Sequence, residues 1–159
     1  MLMDPKIVTI KTLIPHLTRL RKAGKTIAFT NGCFDIMHLG HVAYLQRAKR
    51  GNRVLVVGLN SDRSINRIKG PSRPICPVKS RAAVLAALSC VDFVVIFEQD
   101  TPYELIKAVK PDVLIKGADY KGKQVVGSDI AKKVELLPFV KGFSTSDIIQ
   151  RIAKTYACQ

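Results

Sequence analysis

Apolar and polar residues alternate along this chain in blocks that predict strands and helices in turn. Short apolar runs, typical of strands, cover residues 25–29, 53–59, 91–97, 112–115 and 134–139. Segments with helical spacing or a capping residue lie between them and cover residues 12–21, 41–50, 80–88, a stretch after Thr101-Pro102, and 147–154. Strands that alternate with helices are typical of an α/β fold with a parallel sheet.

The run Val54-Leu55-Val56-Val57 is apolar at every position, as in a strand that is buried on both faces. Helices must then cover both faces of the sheet. We therefore predict an α/β, Rossmann-like doubly wound sheet of about five parallel strands with helices on both faces. The 159 residues fit a single domain, with residues 1–24 as an N-terminal helical extension and residues 25–152 as its core.

Composition limits where the protein acts. The first residues mix charges with an amphipathic helix and lack the pattern of a signal peptide, and no apolar run reaches the ~20 residues that span a bilayer. The cysteines Cys33, Cys76, Cys90 and Cys158 are scattered, which predicts reduced thiols and neither a metal site nor a disulfide framework. We expect a cytoplasmic protein with no membrane partner.

The segment 30–41, Thr-Asn-Gly-Cys-Phe-Asp-Ile-Met-His-Leu-Gly-His, carries the clearest candidate chemistry. It lies where a predicted strand ends and a predicted helix begins, and a helix N-terminus attracts phosphate. Gly40 leaves room for a phosphate near the backbone, and the imidazoles of His38 and His41 can donate hydrogen bonds to it. The pattern predicts a site for nucleotide phosphates, whereas His16, on a helix face, is interpreted as structural.

The net charge of +14 indicates anionic ligands. A cluster free of acidic residues is formed by Arg63, Arg67, Lys69, Arg73, Lys79 and Arg81. It could be a solvated loop, a funnel for phosphates or a nucleic-acid surface. The absence of tryptophan and the aromatic content of 6% leave few stacking platforms, so we favour the funnel and expect no nucleic-acid partner.

The segment 30–41 resembles the nucleotidyltransferase superfamily that carries a His-x-Gly-His signature. Within it, Thr-Asn-Gly-Cys-Phe-Asp resembles the adenylyltransferase domain of bacterial ADP-heptose synthesis. The similarity extends over residues 25–152 and recurs in ordered segments at 58–62, 72–75, 87–92, 100–102, 112–120 and 142–146.

This resemblance implies that a sugar 1-phosphate oxygen attacks the α-phosphorus of a nucleoside triphosphate, which arrives with Mg²⁺, and that pyrophosphate leaves. The expected reaction transfers AMP from ATP to D-glycero-β-D-manno-heptose 1-phosphate and produces ADP-heptose. The alternative is a cytidylyltransferase that uses CTP and glycerol 3-phosphate or a similar phosphoalcohol. The family also implies a possible homodimer, and a separate sugar kinase would supply the sugar 1-phosphate.

The resemblance assigns roles to individual residues. His38, His41, Lys49 and Arg81 are the predicted catalytic residues. The predicted nucleotide- and phosphate-binding residues are Thr30, Asn31, Gly32, Cys33, Phe34, Gly40, Lys116, Gly117, Asp119, Lys141, Gly142, Ser144 and Thr145. Contacts to the acceptor are predicted for Asn60, Lys69 and Arg73, and Asp35 is expected to orient the loop through backbone N–H groups. Lys141 departs from the heptose enzymes, which usually have an acid there, and no protein ligands for a metal are expected.

Overall fold

A computed structural model describes residues 4–138, 140 and 142–157 of the chain. Its five strands are β1 (Thr26–Gly32), β2 (Arg53–Asn60), β3 (Phe93–Phe97), β4 (Val113–Gly117) and β5 (Lys133–Leu137). Its helices are α1 (Ile10–Lys22), α2 (Leu39–Ala48), α3 (Asp62–Lys69), α4 (Val78–Ala87), α5 (Tyr103–Val109) and α6 (Thr145–Tyr156), with a 3₁₀ turn at Ala118–Tyr120.

The strands form one parallel sheet in the order β3-β2-β1-β4-β5. The first three strands are added toward one edge, and the chain then returns to the centre and continues toward the other edge. This reversal between β1 and β4 confirms the predicted doubly wound, Rossmann-like fold. In such sheets the carboxyl ends of the strands at the reversal point form a crevice for ligands.

Alternation along β2 places one apolar core on each face of the sheet. Leu55 and Val57 belong to the core that α2 and α4 cover, whereas Val54 and Val56 belong to the core under α1 and α5. Successive side chains of a strand point to opposite faces, so a continuous apolar run supplies both cores at once.

Helix α1 is an integral part of the second core. Thr9 caps its N-terminus through a reciprocal hydrogen-bonded pair with Thr12, and Leu13 and Leu17 are fully buried. Preceding α1, Ile7 forms a parallel bridge with Val94 on β3. The predicted extension therefore packs on the sheet together with the rest of the chain.

Three local predictions needed correction. The first part of the basic cluster, for which the sequence predicts no helix, lies in α3, which Ser61 caps and whose Ile65 is buried. Strand β1 continues through Gly32 rather than ending at residue 29, so the motif begins inside the sheet. Strand β5 ends at Leu137, and Phe139, its predicted last residue, lies outside the described residues. Within the described part of the chain, no helix is both long and apolar enough to cross a membrane.

Candidate active site

A cavity of about 960 Å³ opens at the carboxyl edge of the sheet, where β1 and β4 diverge. Fifteen of the predicted site residues line it: Asn31, Gly32, Cys33, Phe34, His38, Gly40, His41, Asn60, Lys69, Arg73, Lys116, Gly117, Asp119, Ser144 and Thr145. This volume lies in the range of pockets that enclose small-molecule ligands. The topology therefore brings segments that are far apart in sequence to one place.

The two histidines of the motif form a stacked pair at the N-terminus of α2. His38 is the N-cap residue and His41 lies in the first turn, with their ring centroids 3.8 Å apart and an angle of 27° between the rings. The Nδ1 atoms of both rings are buried and make no hydrogen bond within the described residues. A side chain at position 40 would crowd the His38 ring, because a Cβ there would lie 3.0 Å from the Cε1 and Nδ1 atoms of His38.

The surroundings of both rings favour the neutral form of the imidazole. Burial holds the pKa of His38 below its usual value, and burial together with the neighbouring His38 and Lys69 lowers the pKa of His41 to about 4. A neutral imidazole has one N–H donor, and an approaching anion would favour adding a second. The pair is thus suited to bind phosphate oxygens next to the positive end of a helix dipole.

Asp35 holds the loop between α3 and α4 against the motif. Its Oδ1 accepts from the backbone N–H of Cys76 at 2.9 Å, and its Oδ2 accepts from Ile75 N–H and Arg73 Nε, each at 2.9 Å. Burial by itself would raise the pKa of this carboxyl. The hydrogen bonds from Cys76, Ile75 and Arg73 have the larger combined effect, so the pKa is lowered and the carboxylate stays ionised. The expectation that Asp35 binds backbone N–H groups is confirmed, although these belong to a different loop.

The backbone on either side of Asp35 has positive φ angles, 45° at Phe34 and 49° at Ile36. Such angles are rare for bulky and β-branched residues, so other contacts must hold this turn in place. The Asp35 carboxylate provides one of them. Another comes from Thr145 at the start of α6, whose Oγ1 donates to the carbonyl of Asp35 at 2.7 Å.

Arg81 does not reach the cavity, in contrast to its predicted contact with phosphates. It is 1% exposed, and its guanidinium donates to the carbonyls of Cys33 at 2.6 Å and Cys76 at 2.9 Å and to Asp62 Oδ1 at 2.7 Å. These contacts occupy all three nitrogens of the fork, which makes Arg81 a positioning residue for the motif. Burial raises the pKa of the Cys33 thiol, which is consistent with a positional role for that cysteine.

Lys49 lies outside the cavity, and its predicted role at a phosphate is corrected. It is the C-cap residue of α2, and its Nζ is bonded to the carboxylate of Asp92. Asp92 also accepts from the N–H of Leu55, close to the start of β2. Lys49 is thus located at the amino edge of the sheet, away from the histidines.

The remaining predicted residues are at the periphery of the cavity or behind its wall. Thr30 is fully buried, and its Oγ1 lies 2.8 Å from the hydroxyl of Tyr44, which does line the cavity. Gly142 is exposed with φ +82° and lies outside the lining, whereas Ser144 caps α6 by accepting from Asp147 N–H. Lys141 lies outside the described residues.

On the β4 side, Lys116 is 5% exposed, and its Nζ donates to Oδ1 of Asn31 on β1. The same Nζ lies 5.2 Å from the centroid of the Tyr120 ring, and burial lowers the pKa of Lys116 to about 8. On the β2 side, Asn60 donates through Nδ2 to Ser64 Oγ at 2.9 Å. Lys69, the last residue of α3, and Arg73, which is paired with Asp35, also line the cavity. Besides the histidine pair, the cavity is thus lined by the cationic side chains of Lys69, Arg73 and Lys116.

Sequence reasoning left several lining residues unassigned. These are Tyr44, Ile68, Asp100, Thr101, Pro102, Tyr120, Val126, Val140, Phe143 and Ser146. A signal existed for Asp100-Thr101-Pro102, because this segment follows the carboxyl end of β3 and therefore had to approach the same crevice. Ile68 and Val126 had no such signal, since only the packing of α3 and of the β4–β5 connection brings them there.

Comparison with known proteins places these features in a family. The sequence model of the cytidylyltransferase-like family matches residues 29–151. The chain is 65% identical over 133 residues to the bifunctional protein HldE of a Nitratiruptor species, which covers 84% of this chain and 29% of that protein. It is 60% identical over 143 residues to the bifunctional protein HldE of Campylobacter jejuni, which covers 90% of this chain and 31% of that protein. The chain thus spans about a third of the length of these relatives.

Solved structures agree on the fold. The lipopolysaccharide core biosynthesis protein of Thermoplasma volcanium superposes with a TM-score of 0.58 at 27% identity, covering 74% of this chain and 98% of that one. Pantoate-beta-alanine ligase of Francisella tularensis superposes with a TM-score of 0.61 at 19% identity over 96% of this chain and 79% of that one. The second similarity concerns the fold alone.

Proposed function

Because the chain belongs to the cytidylyltransferase-like family, we propose that it is an adenylyltransferase. It transfers AMP from ATP to D-glycero-β-D-manno-heptose 1-phosphate, and the products are ADP-heptose and pyrophosphate. The observation that carries this proposal is the stacked, neutral histidine pair at a helix N-terminus inside a large cavity with cationic side chains. The choice of adenine and heptose rests on the similarity to the HldE proteins over most of this chain.

The chemistry requires alignment and charge stabilisation more than a strong base. The attacking oxygen belongs to a phosphate that is already an anion at neutral pH, so no proton has to be removed from it. As it bonds to the α-phosphorus, the bond to pyrophosphate breaks and negative charge develops on the surrounding oxygens. His38 and His41 donate hydrogen bonds to these oxygens, and the N–H groups at the start of α2 add to the same field. Magnesium enters as the MgATP complex, which is the substrate.

The nucleotide lies on the β4 side of the cavity and the acceptor on the β2 side. Asp119 follows β4, and a carboxylate at such a position suits ribose hydroxyls. Lys69 and Arg73 also line the cavity, and Arg73 is ion-paired with Asp35. The cationic groups of these two residues suit the phosphate of the acceptor. This arrangement puts the two substrates on either side of the histidines, as an in-line displacement requires.

The wider setting follows from the same relatives. They are named bifunctional, and this chain matches about a third of their length. In the proposed setting, a sugar kinase supplies the sugar 1-phosphate, and the enzyme acts in the cytoplasm. A homodimer is compatible with the family.

Pyrophosphate release tests the function directly. ATP or CTP is combined with heptose 1-phosphate or glycerol 3-phosphate in the presence of magnesium, and all four pairings are compared. Turnover with ATP and heptose 1-phosphate alone is the expected result. Turnover with CTP alone would contradict the adenylyl assignment and move the protein to the cytidylyltransferases. Failure of all four pairings would contradict the proposed acceptor classes.

A further inference from the structure

We propose that Lys116 binds the α-phosphate of the nucleotide. The proposal rests on the function above and specifies one contact in its nucleotide half. Lys116 is an unusually buried lysine, because it lines the cavity and yet is only 5% exposed. Lysine side chains are rarely buried to this degree unless they are paired.

In the part of the chain that the structure describes, the groups in direct contact with the Lys116 amine are neutral. Its Nζ donates to the amide oxygen of Asn31 and lies above the ring of Tyr120. Among the described residues, no carboxylate forms an ion pair with it, and Asp119 is the acidic group whose charge acts on it. A buried ammonium whose charge is not neutralised is costly, and an anionic ligand in the same cavity would offset that cost.

The position of Lys116 indicates which phosphate it meets. It is bonded to Asn31, which precedes the motif loop on the neighbouring strand, and Asp119 follows it at the end of β4. With the ribose at Asp119 and the rest of the triphosphate at His38 and His41, the phosphate that joins them is the α-phosphate. It passes the end of β1, where the ammonium of Lys116 lies.

The lowered pKa of Lys116, about 8, fits this location. Burial has the largest effect on it, and Asp119 opposes this effect in part, while Tyr120 is the other titratable group next to the amine. An incoming phosphate favours the charged form. Lys116 is therefore charged more completely in the complex than in the free protein.

The test compares the affinity for AMP with that for adenosine, because these ligands differ only in the α-phosphate. Calorimetry is carried out with the wild type, Lys116→Met, Lys116→Arg and, as a matched control, Lys121→Met at an exposed lysine close by. We expect wild type to prefer AMP, and Lys116→Met to reduce the AMP-to-adenosine affinity ratio by roughly tenfold or more. Lys116→Arg should retain most of the ratio, and Lys121→Met should leave it unchanged.

The other outcomes overturn the contact. If Lys116→Met lost AMP and adenosine affinity equally, the amine would contact the nucleoside and not the phosphate. If neither affinity changed, the amine would contact neither part of the nucleotide. A wild type without preference for AMP would also contradict the proposal. CMP and cytidine are measured in parallel, so a different base preference alters the proposed function without obscuring the contact. Thermal melting of each variant shows whether it is folded.

Discussion

The rings of His38 and His41 lie face to face with their centroids 3.8 Å apart, so a charge on one ring disfavours a charge on the other. Each ring also has a buried Nδ1 without a partner in the described chain. Two neutral imidazoles with unused hydrogen-bonding capacity are held ready for an anion. Binding of an anion to this pair should therefore favour protonation of the imidazoles.

Replacing either histidine should abolish most turnover without unfolding the protein. His38→Ala and His41→Ala each remove one donor to the oxygens around phosphorus. Loss of such a donor typically costs ~3 kcal/mol of transition-state stabilisation, on the order of a hundredfold in kcat. Pyrophosphate release under saturating substrates measures the effect, and circular dichroism checks the fold. Near-normal turnover in both variants would contradict the mechanism.

The stability of the free protein should fall in mild acid partly because of His41. Its pKa in the folded protein, about 4, lies below the ordinary value of 6.5, so the unfolded chain binds this proton more readily. The contribution of His41 is complete above pH 6.5 and is lost progressively as pH falls toward 4. Urea unfolding at about pH 7 and about pH 5 should show a smaller loss for His41→Gln than for wild type. Equal losses in the two proteins would show that His41 is not kept neutral.

Asp35→Asn should destabilise the protein and misplace the loop that carries Arg73. In the variant, an NH2 group replaces one carboxylate oxygen and cannot accept hydrogen bonds from the N–H groups that this oxygen bound. Each buried N–H donor that is left unpaired costs about 1–3 kcal/mol. We expect a loss of about 3 kcal/mol in urea unfolding and a raised KM for the acceptor. The exposed Asp129→Asn is the matched control. An unfolding midpoint like that of the control would contradict the role of Asp35.

Lys49→Met should leave kcat and KM close to those of wild type. The ammonium is bonded to Asp92 at the opposite edge of the sheet, so its removal affects a partly exposed ion pair and no substrate contact. The expected cost is about 1 kcal/mol of stability. Steady-state kinetics and urea unfolding, with Lys49→Arg in parallel, separate the two effects. A loss of turnover as large as that of His38→Ala would contradict this prediction and show that Lys49 takes part in the reaction.

Lys116→Met should stabilise the free protein while it weakens nucleotide binding. A pKa of about 8 against the ordinary 10.5 corresponds to roughly 3 kcal/mol of unfavourable free energy at neutral pH, and the lost hydrogen bond to Asn31 offsets about 1 kcal/mol. Because the unfolded chain binds this proton more tightly, wild type should gain stability relative to the variant between pH 8 and 10.5. Chemical unfolding across that range checks the prediction, and a variant less stable than wild type at neutral pH would refute it.

Some site assignments could not be made from the sequence, and Lys49 shows why. Helical spacing puts it two turns beyond His41 and on the same face. A helix rises about 1.5 Å per residue, so about eight residues carry the chain about 12 Å away from His41 at the N-terminus of α2. For Arg81, the sequence shows a cation in a basic cluster, but not that the carbonyls of Cys33 and Cys76 converge on its guanidinium.

Features that depend on neighbours along the chain could be predicted from the amino-acid sequence. Apolar runs, capping residues and the segment 30–41 predicted the parallel α/β sheet and the histidine pair at the start of a helix, since each strand or turn is specified by a few adjacent residues. The contacts between distant groups could be identified only in the folded chain: Asp35 with the 73–76 loop, Lys116 with Asn31, and Lys49 with Asp92. Those contacts depend on strand order and on where each helix ends, and a charged side chain can find a partner at either edge of the sheet.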